Sequence, residues 1–238
     1  MLRTFLGVLA LSAAFMLAPT ASAQPMTAAE KDEVRAIVRE VLRTNPELVE
    51  EALNELERRR EAARRLKIEG DARDFSDGPR NAPVTIVEFF DYRCPYCHAA
   101  MDWVFEARRR NPQTVRVIFK EFPVLGEASV EASQAAVASI RQGRYLPFHR
   151  ALMSHRGQLD TAQIDALARR SGIDVTRMRR DMSETAILDH LQANHAVAAE
   201  SKIDGTPAML INGAWIRGWD RERADRTLND ALRNARKR

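Results

Sequence analysis

The two cysteines of the chain, Cys94 and Cys97, stand three positions apart in the stretch Glu88-Phe89-Phe90-Asp91-Tyr92-Arg93-Cys94-Pro95-Tyr96-Cys97-His98. A Cys-x-x-Cys pair can exchange with disulfides or hold a soft metal ion, and a histidine directly after it can also mark haem attachment. In the haem reading both thiols form thioethers and His98 is an axial ligand, with the second taken from His149, His155, His190, His195 or a methionine. The surroundings favour a dithiol. Haem attachment requires neither the apolar, strand-like run before Cys94 nor the Thr206-Pro207-Ala208 turn far downstream. In disulfide exchange the thiolate is the nucleophile, and the unpaired N–H groups and positive dipole end of a helix N-terminus stabilise it. Cys94 is therefore expected to attack, and Cys97, one turn into the helix, to resolve the mixed disulfide.

Those roles need a strand and a helix in the right order. Val84, Ile86, Val87, Phe89 and Phe90 form a near-continuous apolar run of the kind found in strands buried on both faces. It leads into Cys94 as an N-cap and Pro95 at the first helical position, and the helix ends at Asn111-Pro112. Val115 to Phe122 predicts a second strand, in which Val115, Val117 and Phe119 alternate with Arg116, Ile118 and Lys120. Strand, Cys-x-x-Cys at a helix start, helix and strand open a thioredoxin-type βαβ unit. From about 127 to 202 the pattern is helical, with breaks near Gly143, Gly157, Gly172 and Ser183 and a new cap at Asp160. Ala208 to Ile211 returns to a strand, Asn212-Gly213 makes a hairpin turn, and Asp220 caps a last helix. The expected fold is α/β: a thioredoxin fold with a helical insertion. Glu88 is the anomaly, because a charge in a central apolar strand costs energy unless it reaches an edge or finds a partner. Lys120, on the next strand, is the candidate partner.

The first residues place this chemistry. Arg3, an apolar run from about Phe5 to Leu17, and Ala21-Ser22-Ala23 have the pattern of a secretory signal peptide cleaved after Ala23, so residues 1–23 are expected to be removed and the rest to work in the periplasm. The apolar run is too short to span the roughly 30 Å of a bilayer core. A net charge of +4 would ordinarily raise nucleic acid as a partner, but export argues against it. Arg108 to Arg110 and the basic tail fall at helix ends, where cations complement the macrodipole. An exported chain with one closely spaced cysteine pair does not rely on disulfides for stability, since so small a loop constrains little.

Residues 24–69 predict two amphipathic helices. Thr27 and Glu30 form a capping box; Val34, Ile37, Val38, Val41 and Leu42 then recur at helical spacing, and Asn45-Pro46 starts a second helix. These helices carry no reactive group, and their apolar stripe reads as an oligomerisation surface, the alternative being that both helices pack on their own domain. Residues 70–82, rich in turn formers, read as a linker, and the catalytic unit as 83–238.

Glu88-Phe89-Phe90-Asp91-Tyr92, Cys94-Pro95-Tyr96-Cys97 and Gly205-Thr206-Pro207-Ala208 together resemble the DsbA family of exported thiol–disulfide oxidoreductases. The N-terminal helices and linker resemble its oligomeric suppressor-of-copper-sensitivity branch. The resemblance implies that Pro207 is cis and, with Thr206, holds substrate backbone beside the disulfide. It also implies that Glu88 exchanges protons with Cys97, and Tyr96 shapes the loop, meets substrate and tunes the potential. It implies cysteine-containing exported proteins as substrates, a membrane redox partner, a homotrimer and no cofactor. Whether such a protein oxidises, isomerises or reduces stays open. A second activity, binding of Cu(I) by Cys94 and Cys97 with His98 and Met101 nearby, stays open beside them.

Overall fold

The computed structural model describes residues 25–237; the signal peptide expected at 1–23 lies outside the described residues. The chain divides into two units after Glu57. In the first, the capping box forms as expected. The Glu30 N–H donates to Thr27 Oγ1 at 3.3 Å, and the Thr27 N–H to the Glu30 carboxylate at 2.7 Å. They start α1 (Ala28–Thr44), which ends at Asn45, before α2 (Glu47–Glu69). No side chain of α1 is buried, and Val34, Ile37, Val38, Val41 and Leu42 lie 41–55% exposed.

The second unit is built around β2 (Val84–Phe90), whose seven residues are all buried. It pairs in parallel with β3 (Val115–Glu121), and α3 (Pro95–Arg110) makes the crossover. On its other side β4 (Ala208–Ile211) runs antiparallel and turns through Asn212-Gly213 into β5 (Ala214–Arg217). Both turn residues have positive φ, +50° and +99°, as a tight two-residue hairpin demands. Between β3 and β4 come five helices, α4 (Glu127–Ile140), α5 (Tyr145–Ser154), α6 (Thr161–Arg170), α7 (Val175–Met182) and α8 (Thr185–Glu200); α9 (Arg221–Ala235) closes the chain. Asp160, Asp174 and Asp220 cap their helices by accepting from the N–H three residues on, at 2.8–3.0 Å. This is the expected thioredoxin fold with its helical insertion.

Alternation along the central strands sorts the core into two layers. Ile86 and Phe90 of β2 and Val117 and Phe119 of β3 face α3, α5 and α9. Val87, Phe89, Ile118 and Phe122 face the other way, against Ala198, Ile203 and Ile68. Ile68 is 1% exposed. The last turns of α2 therefore belong to this unit, which begins at Arg58 and not at the expected boundary near residue 83.

The expected linker, 70–82, is also different. It contains β1 (Phe75–Asp77), an edge strand paired antiparallel with β3, giving the order β1-β3-β2-β4-β5. Phe75 stacks on Tyr145 with centroids 4.4 Å apart. A three-residue strand is too short to show a period among turn formers. The pairing of Lys120 with Glu88 is corrected on the same grounds of alternation. Glu88 shares the face of Ile86 and Phe90, whereas Lys120 lies on the face of Ile118 and Phe122, buried among polar groups. Its ammonium meets Asp74 at 2.5 Å and donates to Asn194 Oδ1 at 3.2 Å, while His190 Nε2 meets the second Asp74 oxygen at 2.8 Å. This cluster ties the segment before β1 to β3 and α8.

Removing one member of a buried ion pair leaves the other charge uncompensated, which costs about 3–5 kcal/mol, whereas replacing both with apolar residues is often nearly neutral. Asp74→Asn should lower the urea midpoint accordingly, and Asp74→Leu with Lys120→Met should recover most of the loss. Equal destabilisation by the single and double variants would show that the cluster is not acting as a pair.

Candidate active site

After Phe90 the chain turns through Asp91, Tyr92 and Arg93 into α3, and the buried Asp91 holds the turn. Its carboxylate accepts from the N–H groups of Arg93, Val124 and Leu125 and from Ser129 Oγ, all at 2.7–2.9 Å. Its carbonyl accepts from the Cys94 N–H at 3.1 Å. One side chain thereby fixes the nucleophile's loop against the loop that follows β3. Asp91 lies in the stretch that carries the family resemblance, but its role was not legible there, because an aspartate in a turn is ordinary.

Cys94 is the extended N-cap of α3 (φ −81°, ψ 115°) and Pro95 follows at the first helical position. Proline has no N–H, so the first free donors of the helix are those of Tyr96 and Cys97. The hydrogen bond from the Cys97 thiol pulls the Cys94 pKa down most, and the Thr206 side chain and the N–H groups of Cys97 and Tyr96 add to it; together they outweigh burial and bring it to about 5. Cys97 is fully buried and moves the opposite way. Burial, then its bond to Cys94 and the charge of Glu88, hold its proton far above the usual thiol range. The pair is thus divided into a thiolate at the surface of the core and a thiol inside it.

Glu88 lies on the face of β2 that carries the dithiol layer and is 1% exposed, so it does not reach an edge. Burial, and secondarily the charge of Cys94, raise its pKa to about 8. Thr206 and Pro207 form the opposite wall. Their peptide bond is cis, and the Thr206 carbonyl lies 3.3 Å from Cys94 Sγ. Tyr96 projects from the first turn at 66% exposure. Thus Cys94, Cys97, Glu88, Thr206 and Pro207 converge, with Tyr96 at the rim.

A second buried acid, Glu121, accepts from Tyr92 and Tyr145 hydroxyls, both at 2.8 Å, and burial raises its pKa to about 8. His149 Nδ1 lies 3.0 Å from the Tyr92 hydroxyl, and burial lowers its pKa to about 3. The signal for Glu121 was available: it continues the inward phase of Val115, Val117 and Phe119. The histidines considered for haem are otherwise engaged, His149 among Phe90 and Phe119 and His190 on Asp74.

The family described as DSBA-like thioredoxin domain matches residues 85–233. The chain belongs to that family, and its fold and divided dithiol are those of a thiol–disulfide oxidoreductase. Residues 30–63 match the copper resistance protein ScsC N-terminal domain. A linker-deletion variant of ScsC from Proteus mirabilis is 30% identical, covering 90% of this chain and 100% of its own with a TM-score of 0.67. A thioredoxin-like oxidoreductase from Silicibacter pomeroyi DSS-3 is 35% identical, covering 73% and 98% with a TM-score of 0.67. The Na(+)/H(+) antiporter NhaA 3 of Salinispora tropica is 32% identical over 143 residues, 59% of this chain; the match spans only 22% of that longer protein.

In reduced protein, iodoacetamide should modify Cys94 with a pH midpoint near 5 and leave Cys97 unmodified up to pH 8. Equal rates, or a Cys94 midpoint near the ordinary thiol value of about 8.5, would remove the assignment. Glu88 gives a stability test. A carboxyl whose folded pKa exceeds its ordinary 4.5 binds its proton more tightly when folded, so stability falls as pH rises from 4.5 to about 8. Glu88→Gln removes that slope, at most about 1.4 kcal/mol per pH unit. The variant should gain on the parent across this window. An advantage independent of pH would mean that Glu88 is ionised throughout.

Proposed function

We propose that this chain is an exported, periplasmic disulfide isomerase, cleaved after Ala23, which acts on cysteine-containing polypeptides through its Cys-Pro-Tyr-Cys dithiol. The observation that carries the reading is the opposite treatment of the two sulfurs. The Cys94 thiolate attacks one sulfur of a substrate disulfide, the S–S bond breaks, a mixed disulfide forms, and the released substrate sulfur takes a proton from water. Two exits follow. Another substrate thiolate can attack the mixed disulfide, which restores the Cys94 thiolate and leaves a rearranged substrate with no net redox change. Alternatively Cys97 loses its proton and attacks Cys94, so the substrate leaves reduced and the enzyme oxidised. The raised pKa of Cys97 supports the first exit, since its thiolate is scarce. Glu88, with a pKa of about 8, is suited to take that proton and return it near neutral pH. A membrane redox partner would reset the dithiol after the second exit.

Isomerisation also gains from several thiolates facing one substrate. The open apolar stripe of α1, continued by Leu48, Val49, Leu53 and Leu56 of α2, supports a homo-oligomer. The family resemblance implies a trimer, which is the form to test. Deleting residues 24–57 spares Ile68, which fills the sheet's second layer. The deleted protein should run as a monomer by light scattering, lose refolding of scrambled ribonuclease and keep dithiol oxidation. If the full mature chain is itself monomeric, or the deletion isomerises as well as the parent, the reading reverts to a monomeric dithiol oxidase.

The copper-resistance description of that N-terminal match favours one second reading, Cu(I) binding by Cys94 and Cys97. Both cysteines are free, with His98 and Met101 on the same helix. Stoichiometric Cu(I) uptake by the reduced protein that is lost in Cys94→Ser, Cys97→Ser would support it; uptake unchanged in that variant would exclude this site.

A further inference from the structure

Beside the nucleophile lies a groove of about 420 Å³ that shares no residue with the Thr206–Pro207 wall. Its lining includes Arg93, Pro95, His98, His155, Arg156 and Leu159. Its size falls within the roughly 300–1,000 Å³ typical of sites for small groups and side chains. Two features give it a character of its own. All its ionisable side chains other than Tyr92 are basic, and no carboxylate lines it. Its two guanidinium groups are held by main-chain carbonyls: Arg93 by Leu125 at 2.5 Å, Arg156 by Met153 and His155 at 2.9 and 3.1 Å. Neither has a carboxylate partner among the described residues. Arg179 in the same unit is neutralised by Glu131 and Asp165; Arg217 and Arg223 also rest on main-chain carbonyls, but neither lines this groove.

The groove is also ordered. His98 Nε2 lies 2.7 Å from the Tyr92 carbonyl, and its Nδ1 lies 3.2 Å from Arg156 Nη1. A carbonyl can only accept and a guanidinium can only donate, so Nε2 carries the proton and Nδ1 is the acceptor. The imidazole thus braces Arg156 one turn from the reactive sulfur, and the Nε and Nη2 donors of this exposed, groove-lining residue have no partner among the described residues. Carbonyl-anchored, acid-free guanidinium groups match a carboxylate, which they can bind through parallel N–H donors.

We infer that this groove is a specificity subsite that accepts an Asp or Glu side chain lying close to the target disulfide of a polypeptide substrate. The inference rests on the oxidoreductase reading for its substrate, and on the groove alone for its charge preference. The carboxylate contributes to binding while the chemistry proceeds at Cys94, so the preference belongs in KM and not in kcat.

The test uses the full mature protein and two disulfide-bonded peptides, identical except for Glu or Gln two residues from the cysteine, with the series repeated on either side of it. At low salt kcat/KM for one acidic peptide should exceed that for its amide counterpart by roughly 3- to 10-fold, the range of a partly exposed charge pair. The ratio should shrink in 0.5 M sodium chloride as screening sets in. Arg156→Gln should bring it towards one through KM, and Arg156→Lys should restore part of it. Equal rates for all pairs, or a ratio untouched by both Arg156→Gln and Arg93→Gln, would overturn the subsite. If no peptide disulfide reacts, the oxidoreductase reading fails instead. Anisotropy then decides the subsite: equal affinity of a cysteine-free acidic peptide for the parent and for Arg156→Gln overturns it, and weaker binding to the variant sustains it.

Discussion

A thiolate has to be kept at the margin of an apolar core without water to solvate it, and the start of α3 is where this chain provides the substitute. Burial alone would keep both sulfurs protonated, as it does Cys97. Cys94 escapes chiefly because the Cys97 thiol, one turn into the helix, donates to it, with the Thr206 side chain and the N–H groups of Cys97 and Tyr96 adding to that. The sheet supports that arrangement. β2 must be central and buried to deliver Cys94 to the end of the core, and Asp91 must gather four donors to hold the turn between strand and helix.

The same constraint explains why so many charges lie inside a domain of this size. Glu88 and Glu121 are both buried and both hold their protons to about pH 8, yet their surroundings differ. Glu121 accepts from two tyrosine hydroxyls on Oε1 and so braces the helical insertion against β3, while its Oε2 has no hydrogen-bond partner among the described residues. Glu88 Oε1 has no hydrogen-bond partner among the described residues, and its charge acts on the thiols. A buried polar atom left without a partner is destabilising, and here its carboxylate is near enough for its charge to raise the Cys97 pKa. On the opposite layer the Asp74, Lys120 and His190 cluster is paired on both carboxylate oxygens and has the character of a fastening for the sheet edge.

Legibility in the sequence followed the range of the interactions. Local ones were readable: the capping box at Thr27, proline after Cys94, the Asn212-Gly213 hairpin and the helix breaks of the insertion all fall where short-range stereochemistry puts them. Cys94 and Cys97 were readable because their spacing is itself the chemistry. What failed to show depends on contacts far apart in the chain. β1 exists because β3 offers an edge, and Asp74 is buried because Lys120 and His190 meet it. The pairing of Lys120 with Glu88 came from counting neighbouring strands without following alternation to the face each side chain occupies. The end of α2 went to the arm because its charges hide Ile68, the one buried residue of that helix.

The folded protein, and not the cysteine itself, stabilises the Cys94 thiolate. Comparing the unfolding free energies of the reduced and oxidised proteins between pH 5 and pH 8 tests it, because groups common to both forms largely cancel in the difference. A thiol whose pKa is depressed by folding contributes stability that is complete above its unfolded value and is lost as pH falls towards its folded value, about 5 here. The reduced form should therefore gain on the oxidised form as pH rises through this window, by up to about 1.4 kcal/mol per pH unit. A difference that stays flat from pH 5 to pH 8 would contradict the account, since it would mean that Cys94 titrates alike in the folded and unfolded chains.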